Sequence, residues 1–290
     1  MDYLSKSKIQ LIVTDVDGTL GTGGKYAINQ DSQTAIKKFL DSSNEREVVL
    51  ASGRTYNNMV SIVRDSKLRP YLGNRLHVAA FNGSLSMHKR NRIVDESIDS
   101  TVVFYLRQKL SSPEFKIDSM FHSEYLTYLM GTKYIGDYCT QGGYVYERVF
   151  PDKNKSIFMM EFSPVTEEPE TISKYLGLDF FESVNKIKNL IFTPITPGFD
   201  SRKQIMVNNA MINKSYALNA YIEHLRIKPE NVLAVGDDLN DVEMLSLEKI
   251  NSVAMGNAKE EVKKVAKTVI GSVQEKGFSN MIEDILKGKF

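Results

Sequence analysis

The feature that most restricts how this chain can fold is a pattern repeated four times: a short apolar run that ends abruptly in a small or acidic polar cluster. Ile9–Val13 passes through Thr14 into Asp15-Val16-Asp17-Gly18. Arg46–Ala51 runs into Ser52-Gly53-Arg54, and His77–Phe81 runs into Asn82-Gly83. Asn231–Val235 runs into Gly236-Asp237-Asp238-Leu239-Asn240-Asp241. Runs of this length, rich in β-branched residues and closed by turn residues, read as buried strands. Carboxylates at a strand exit ask for a compensating positive charge, because burying one unpaired costs several kcal/mol. A divalent cation would supply it. Taken alone, Asp17-Gly18 is equally well read as a plain turn.

Helical spacing separates these runs. Ala35, Ile36, Phe39 and Leu40 share one helix face, as do Leu218, Tyr221, Ile222 and Leu225, and Phe278, Met281, Ile282, Ile285 and Leu286. Ser252–Met255 and Thr268–Ile270 read as two further strands. Strand–helix alternation at both ends of the chain predicts an α/β fold, a parallel sheet covered by helices. In open sheets of that kind ligands bind outside the carboxyl ends of the strands. The four polar clusters would therefore share one crevice.

The middle is different. From about Ser84 to Asn209 strand-like runs dominate: Phe115–Phe121, Tyr144–Phe150, Ser156–Phe162 and Lys188–Thr193, with helix candidates at Thr101–Leu110 and Pro169–Leu178. A chain of 290 residues exceeds the usual single domain of about 100–200. The expected organisation is a core from residues 1–83 and 210–290, with an α+β unit inserted at 84–209. An insert beside the crevice would act as a lid. Its tyrosines (Tyr125, Tyr128, Tyr134, Tyr138, Tyr144, Tyr146) could line a substrate pocket, but packing of the insert's own sheet is the simpler reading.

Composition narrows the function classes. A net charge of +1 gives no reason to expect nucleic acid as partner. No apolar run approaches the roughly 18–20 residues of a membrane span, and the opening MDYLSKSK lacks the apolar stretch of a secretory signal. The single cysteine, Cys139, cannot form an internal disulfide and fits a reducing compartment, so the expected location is cytoplasmic. His77, His88, His122 and His224 have no zinc-type spacing and read as structural or surface residues.

The clusters together resemble the motifs of the haloacid dehalogenase superfamily of phosphotransferases, most of all the Cof-type hydrolases with a large α/β cap. The first motif is Asp15-Val16-Asp17-Gly18-Thr19-Leu20 and the second Ser52-Gly53-Arg54. The third is Lys214 of Ile212-Asn213-Lys214, and the fourth is Gly236–Asp241 followed by Met244-Leu245. Asn82-Gly83 and Val253-Ala254-Met255-Gly256-Asn257-Ala258 also match. Two departures are mild: Asp238 and Ser215 stand where relatives often carry glycine.

The resemblance implies a Rossmann-like core with an inserted cap and a Mg²⁺-dependent phosphatase acting on small phosphorylated metabolites. Sugar phosphates and phosphorylated cofactors are the usual kind. It implies Asp15 as nucleophile, forming an aspartyl-phosphate, since an ionised carboxylate needs no general base. Asp17, two residues on, would be the acid and base. Lys214 would be a point charge on the phosphoryl group, aided by the positive end of its helix. Val16, Ser52, Gly53, Asn82, Lys214 and Asn240 form the implied phosphate-binding set. Asp15, Asp237 and, through its backbone carbonyl, Asp17 form the metal set, with Asp241 supporting metal or lysine from behind. Arg54 is at least as well read as a salt bridge. The implied state is a monomer or small homo-oligomer. Two other functions fit the same residues: a hexose phosphomutase, and a ligand-binding protein that keeps the fold without turnover.

Overall fold

The computed structural model describes residues 8–23, 27–111, 117–130, 146–152, 154–164, 168–192 and 204–289. Cys139, Tyr134, Tyr138 and Tyr144 lie outside the described residues, as do the first two residues of the strand expected at Phe115–Phe121 and Thr193 at the end of Lys188–Thr193.

By contacts the chain divides into two compact units. One comprises Met1–Arg54, Met59–Asp95 and Asn213–Phe290; the other comprises Thr55–Asn58 and Glu96–Ile212. The strands, in chain order, are β1 (Leu11–Thr14), β2 (Glu47–Ala51), β3 (Leu76–Ala80), β4 (Leu85–His88), β5 (Asn91–Asp95), β6 (Ile117–His122), β7 (Thr127–Met130), β8 (Tyr146–Glu147), β9 (Met159–Pro164), β10 (Ile187–Phe192), β11 (Gln204–Asn209), β12 (Val232–Gly236), β13 (Asn251–Ala254) and β14 (Thr268–Val269).

The first unit is built on an eight-stranded sheet in the order β14-β13-β12-β1-β2-β3-β4-β5. It is parallel from β14 to β3. β1 is its centre: Ile12 lies opposite Leu233 of β12 on one side and Val48 of β2 on the other. All four residues of β1 are buried, as a strand covered on both faces requires. Of the apolar faces expected from helical spacing, Ala35, Ile36, Phe39 and Leu40 on the helix Gln30–Asp41 are buried, as are Leu218 and Tyr221 on Lys214–Leu225 and Phe278, Met281, Ile282 and Ile285 on Gly277–Leu286, while Ile222, Leu225 and Leu286 are half-buried.

The sheet continues past Gly83, where the insert was expected to begin. β4 and β5 form an antiparallel hairpin that pairs onto β3. The physical reason is short-range: Phe81-Asn82-Gly83 turns the chain back on itself through three residues with positive φ, so Leu85–His88 finds β3 as its nearest partner.

The second unit carries a six-stranded sheet in the order β10-β11-β9-β6-β7-β8, antiparallel except for β7 with β8. Val102 and Leu106 of the helix Ser100–Leu110 join Phe121, Met160, Ile172 and Leu176 in its apolar core. The single helix expected at Pro169–Leu178 is two, Pro169–Leu176 and Leu178–Ser183. Gly177 separates them with φ +71°, a left-handed cap that ends the first helix. Of the tyrosines considered for a pocket, Tyr128 is buried in this unit's core while Tyr125 is exposed. Among the described residues no helix is long and apolar enough to cross a membrane.

Candidate active site

Strand order places the site. The chain builds outward from β1 through β2 and β3, then returns to the other side of β1 to add β12, β13 and β14. The reversal lies between β1 and β12, and the crevice at such a switch point is where open α/β sheets bind ligands. Asp15 leaves the end of β1 there, with its backbone N–H donating to the Val235 carbonyl at 2.9 Å. Asp237 leaves the end of β12.

Against Asp15 sits Lys214, wholly buried. It is the first residue of the helix Lys214–Leu225, whose N-cap Asn213 accepts a hydrogen bond from the Tyr216 amide at 3.0 Å. Its Nζ donates to Asp15 Oδ1 at 2.5 Å and to Asp241 Oδ1 at 2.7 Å. The other oxygen of Asp241 accepts from the Asp237 and Asp238 amides at 2.9 and 3.1 Å. Asp241 thus ties the fourth polar cluster to the lysine, a direct contact.

Oxygens of Asp15, Asp237 and Asp241 all lie within 4.8 Å of one another. Three carboxylates share one ammonium, and an all-oxygen donor set of this kind suits a hard divalent cation. Burial pushes the Asp15 pKa up, Lys214 opposes that, and the charges of Asp241 and Asp237 reinforce it, leaving it well above the usual carboxylate value. Burial also raises Asp237, to about 6, against the hydrogen bond from Thr19. Burial alone would depress Lys214, but Asp15 and Asp241 outweigh it and its pKa is raised. The directions for Asp15 and Lys214 pull apart across one contact. The lysine, hydrogen-bonded to two acids, is the fixed charge; the surplus carboxylates take up the strain.

Asp17 stands apart from that trio. Arg54 grips its side chain in a forked pair, Nε to Oδ2 at 2.6 Å and Nη2 to Oδ1 at 2.7 Å. The salt bridge weighed for Arg54 in the sequence has Asp17 as its partner. The phosphate-binding candidates gather nearby in part. Asn240 Nδ2 donates to Asn82 Oδ1 at 3.1 Å, and the Asn82 amide donates to the Ser52 carbonyl at 2.9 Å. A Cβ on Gly53 would come within 3.3 Å of Asn82 Oδ1, so Ser52, Gly53, Asn82 and Asn240 form one patch. Val16, between the two aspartates, is fully buried, which leaves its backbone as the part able to face a ligand.

Two residues of the site were quoted in motifs without a role. Thr19 Oγ1 donates to Asp237 Oδ1 at 2.9 Å, and Asn257 Nδ2 donates to the Gly18 carbonyl at 2.8 Å. Gly18 itself has φ +83°, and a Cβ there would fall 2.1 Å from Asp237 Oδ2. The Asp15–Leu20 loop is therefore moulded against Asp237, and only glycine allows it.

Comparison with known proteins bears on the fold and the family. The family model of haloacid dehalogenase-like hydrolases matches residues 12–282. The chain is 27% identical over 274 residues to the Bacillus subtilis 5-amino-6-(5-phospho-D-ribitylamino)uracil phosphatase YcsE, covering 94% of each. It is 24% identical over 299 residues to Phosphatase YwpJ of the same organism, covering 96% of this chain and 100% of that one. Among solved structures, a haloacid dehalogenase-like hydrolase from Bacteroides thetaiotaomicron superposes with a TM-score of 0.76 at 20% identity, over 96% of this chain and 99% of the other. A match spanning all four polar strand ends, on a fold that those structures share, makes this chain a member of the haloacid dehalogenase-like hydrolase family.

Proposed function

We propose that the chain is a Mg²⁺-dependent phosphatase that hydrolyses small phosphorylated metabolites through an aspartyl-phosphate on Asp15. The observation that carries the reading is the buried Asp15 carboxylate held against Lys214, with Asp237 and Asp241 beside it, at the switch point of the sheet. A phosphate monoester is a dianion that repels anionic nucleophiles, so its transfer depends on positioning and on neutralising charge. When bound, Mg²⁺ would offset the negative charge shared by the carboxylates and the phosphoryl oxygens. Asp15 and Asp237 would hold it, with the carbonyl of Asp17.

Asp15 attacks phosphorus; the new P–O bond forms as the ester P–O bond breaks. The departing oxygen takes a proton from Asp17. Water then attacks the phosphorus, passes its proton to Asp17 and frees inorganic phosphate and the Asp15 carboxylate. Asp17 must release Arg54 to reach the substrate, because the fork occupies both its oxygens. Lys214 keeps Asp15 oriented, and Ser52, Gly53, Asn82 and Asn240 offer hydrogen bonds to the phosphoryl oxygens.

The inserted unit is assigned the choice of leaving group, since Asp15, Asp17, Ser52, Lys214, Asp237 and Asp241 all belong to the other unit. Sugar phosphates and phosphorylated cofactor precursors are the class to test; one relative is named for a phosphoribitylamino-uracil. The decisive measurement is phosphate release from a panel of such esters with and without Mg²⁺, for the parent and for Asp15→Asn. The parent should turn over only with Mg²⁺. The variant should fold and be inactive. Release by Asp15→Asn within about tenfold of the parent would exclude the covalent route.

A further inference from the structure

Far along the same sheet from the carboxyl-end crevice, three strands bring together residues that sequence spacing does not connect. Glu47 opens β2, His77 is the second residue of β3, and His88 closes β4. Continuing the β3–β4 register, in which Val78 faces Met87, sets His77 opposite His88. Glu47 Oε2 lies 2.8 Å from His77 Nε2 and 3.3 Å from His88 Nε2. Their ligating atoms all fall within 4.8 Å of one another.

We propose that Glu47, His77 and His88 form a second metal site, for Zn²⁺ or another borderline first-row ion, separate from the carboxylate cluster. Two imidazoles and one carboxylate are a donor set that such ions take and that Mg²⁺ does not favour. The strongest pointer is His88 Nε2. It is buried on a residue only 6% exposed and makes no hydrogen bond, although it faces Glu47 Oε2. With Nδ1 of the same ring paired to His224, an Nε2 left in this position is open to a cation shared with Glu47 Oε2.

The surroundings fit as well. The outer nitrogen of His88, Nδ1, is 2.9 Å from Nε2 of the exposed His224, the kind of outer partner that fixes the tautomer of a ligating histidine. Tyr221 stacks on the His77 ring, with centroids 6.2 Å apart, and its hydroxyl donates to the Met87 carbonyl at 2.7 Å. Ligands of a tetrahedral ion with bonds of about 2.0–2.1 Å are about 3.3–3.4 Å apart. The His88–Glu47 separation already matches, and the His77–Glu47 contact must open by roughly half an ångström. The ion would replace the Nε2 proton that His77 gives to Glu47. The ring would then carry its proton on Nδ1 and lose the 3.4 Å contact from the Lys89 amide. Glu47, with its side chain 17% exposed, provides the access route.

The test is calorimetric titration of the untagged chain with Zn²⁺ in excess Mg²⁺. The carboxylate cluster could take Zn²⁺ too, so Asp237→Ala is titrated alongside. The parent and Asp237→Ala should each retain one equivalent bound at this site, and His88→Gln should lack it while keeping Mg²⁺-dependent turnover. His224→Ala, altered at an exposed position, should weaken that equivalent about 10–100-fold. If folding fails in His88→Gln, the His224→Ala shift decides. Unchanged Zn²⁺ uptake in a folded His88→Gln or in His224→Ala, or loss of all uptake in Asp237→Ala, overturns the proposal.

Discussion

Replacing Lys214 by methionine is the sharpest test of how the site is held together. The side chain keeps its length and loses its charge, so packing changes little. What remains is Asp15 and Asp241 facing an apolar group where an ammonium stood at 2.5 and 2.7 Å, with Asp237 close by. Removing one partner from a buried ion pair costs about 3–5 kcal/mol, because the other charge is left without compensation. Here two carboxylates are left, so the upper part of that range is expected at neutral pH. Protonation limits the loss.

The pH dependence follows with a definite sign. In the variant the folded-state pKa values of these acids must lie above the unfolded value of about 3.9, so the native state binds more protons than the unfolded state. Stability then falls as pH rises through that interval and recovers on acidification. Burial already raises Asp15 and Asp237 in the parent, so the parent slopes the same way, but less because Lys214 offsets it. Urea unfolding of both proteins at neutral pH and at about pH 5 measures the difference. Mg²⁺ should stabilise the variant more than the parent, since it restores positive charge to the cluster. A variant within about 1 kcal/mol of the parent at neutral pH, or a gap that does not narrow in acid, would refute the account of Lys214 as the charge that holds these acids.

Other outcomes follow from single contacts. Asp237→Ala should shift the Mg²⁺ dependence of phosphate release to much higher concentration, with incomplete recovery at saturation; superimposable titration curves would remove Asp237 from the metal set. Gly18→Ala forces a side chain into φ +83° and onto Asp237 Oδ2, so it should cost about 1–2 kcal/mol from the backbone alone and weaken Mg²⁺ dependence in the same direction; a variant equal to the parent in melting and in Mg²⁺ titration would show that the loop yields freely. Asp99 caps the helix Ser100–Leu110 through the Thr101 amide at 2.8 Å and meets Lys186 at 2.6 Å. The Lys186 and Thr101 hydrogen bonds lower its pKa to about 2. Asp99→Ala should lose about 1 kcal/mol, mainly from the cap because the ion pair is part-exposed. That contribution is complete above the unfolded pKa of about 3.9 and disappears as pH falls towards 2, so the two melting curves should converge in acid; a constant gap would mean that the Asp99 charge is irrelevant.

What the sequence made legible were features carried within one segment. β1, β2, β3 and β12 were readable because each is a continuous apolar run closed by a polar cluster, and burial on both faces leaves no other composition. The helix carrying Lys214 was readable from its apolar spacing, and its Asn213 cap emerged only in the structure. Features made by two distant segments were not. Arg54 and Asp17 are 37 residues apart, and nothing in either neighbourhood names the other. The grouping of Glu47, His77 and His88 was hidden for the same reason: His77 and His88 are joined by a hairpin register, and Glu47 by a parallel pairing, neither of which has a spacing signature. The break at Gly177 was present as a glycine inside a helical pattern, yet a lone glycine there is compatible with an unbroken helix at modest cost.

The same distinction explains why Asp241 is more central than its motif position suggests. In sequence it is the last acid of Gly236–Asp241, one polar residue among several. In space one of its oxygens receives two amides of its own loop and the other receives Lys214 from a different helix. A buried carboxylate persists only when its lone pairs are filled, and here they are filled by the two elements the site must hold in register. That leaves Asp15 with one cationic partner and Asp237 with a hydroxyl and a long amide contact from Asn257 at 3.5 Å, both raised in pKa by burial. The least compensated negative charge therefore lies on the pair of acids that follow β1 and β12, on either side of the switch point, and under the proposed mechanism a cation drawn there would meet the substrate phosphate beside Asp15.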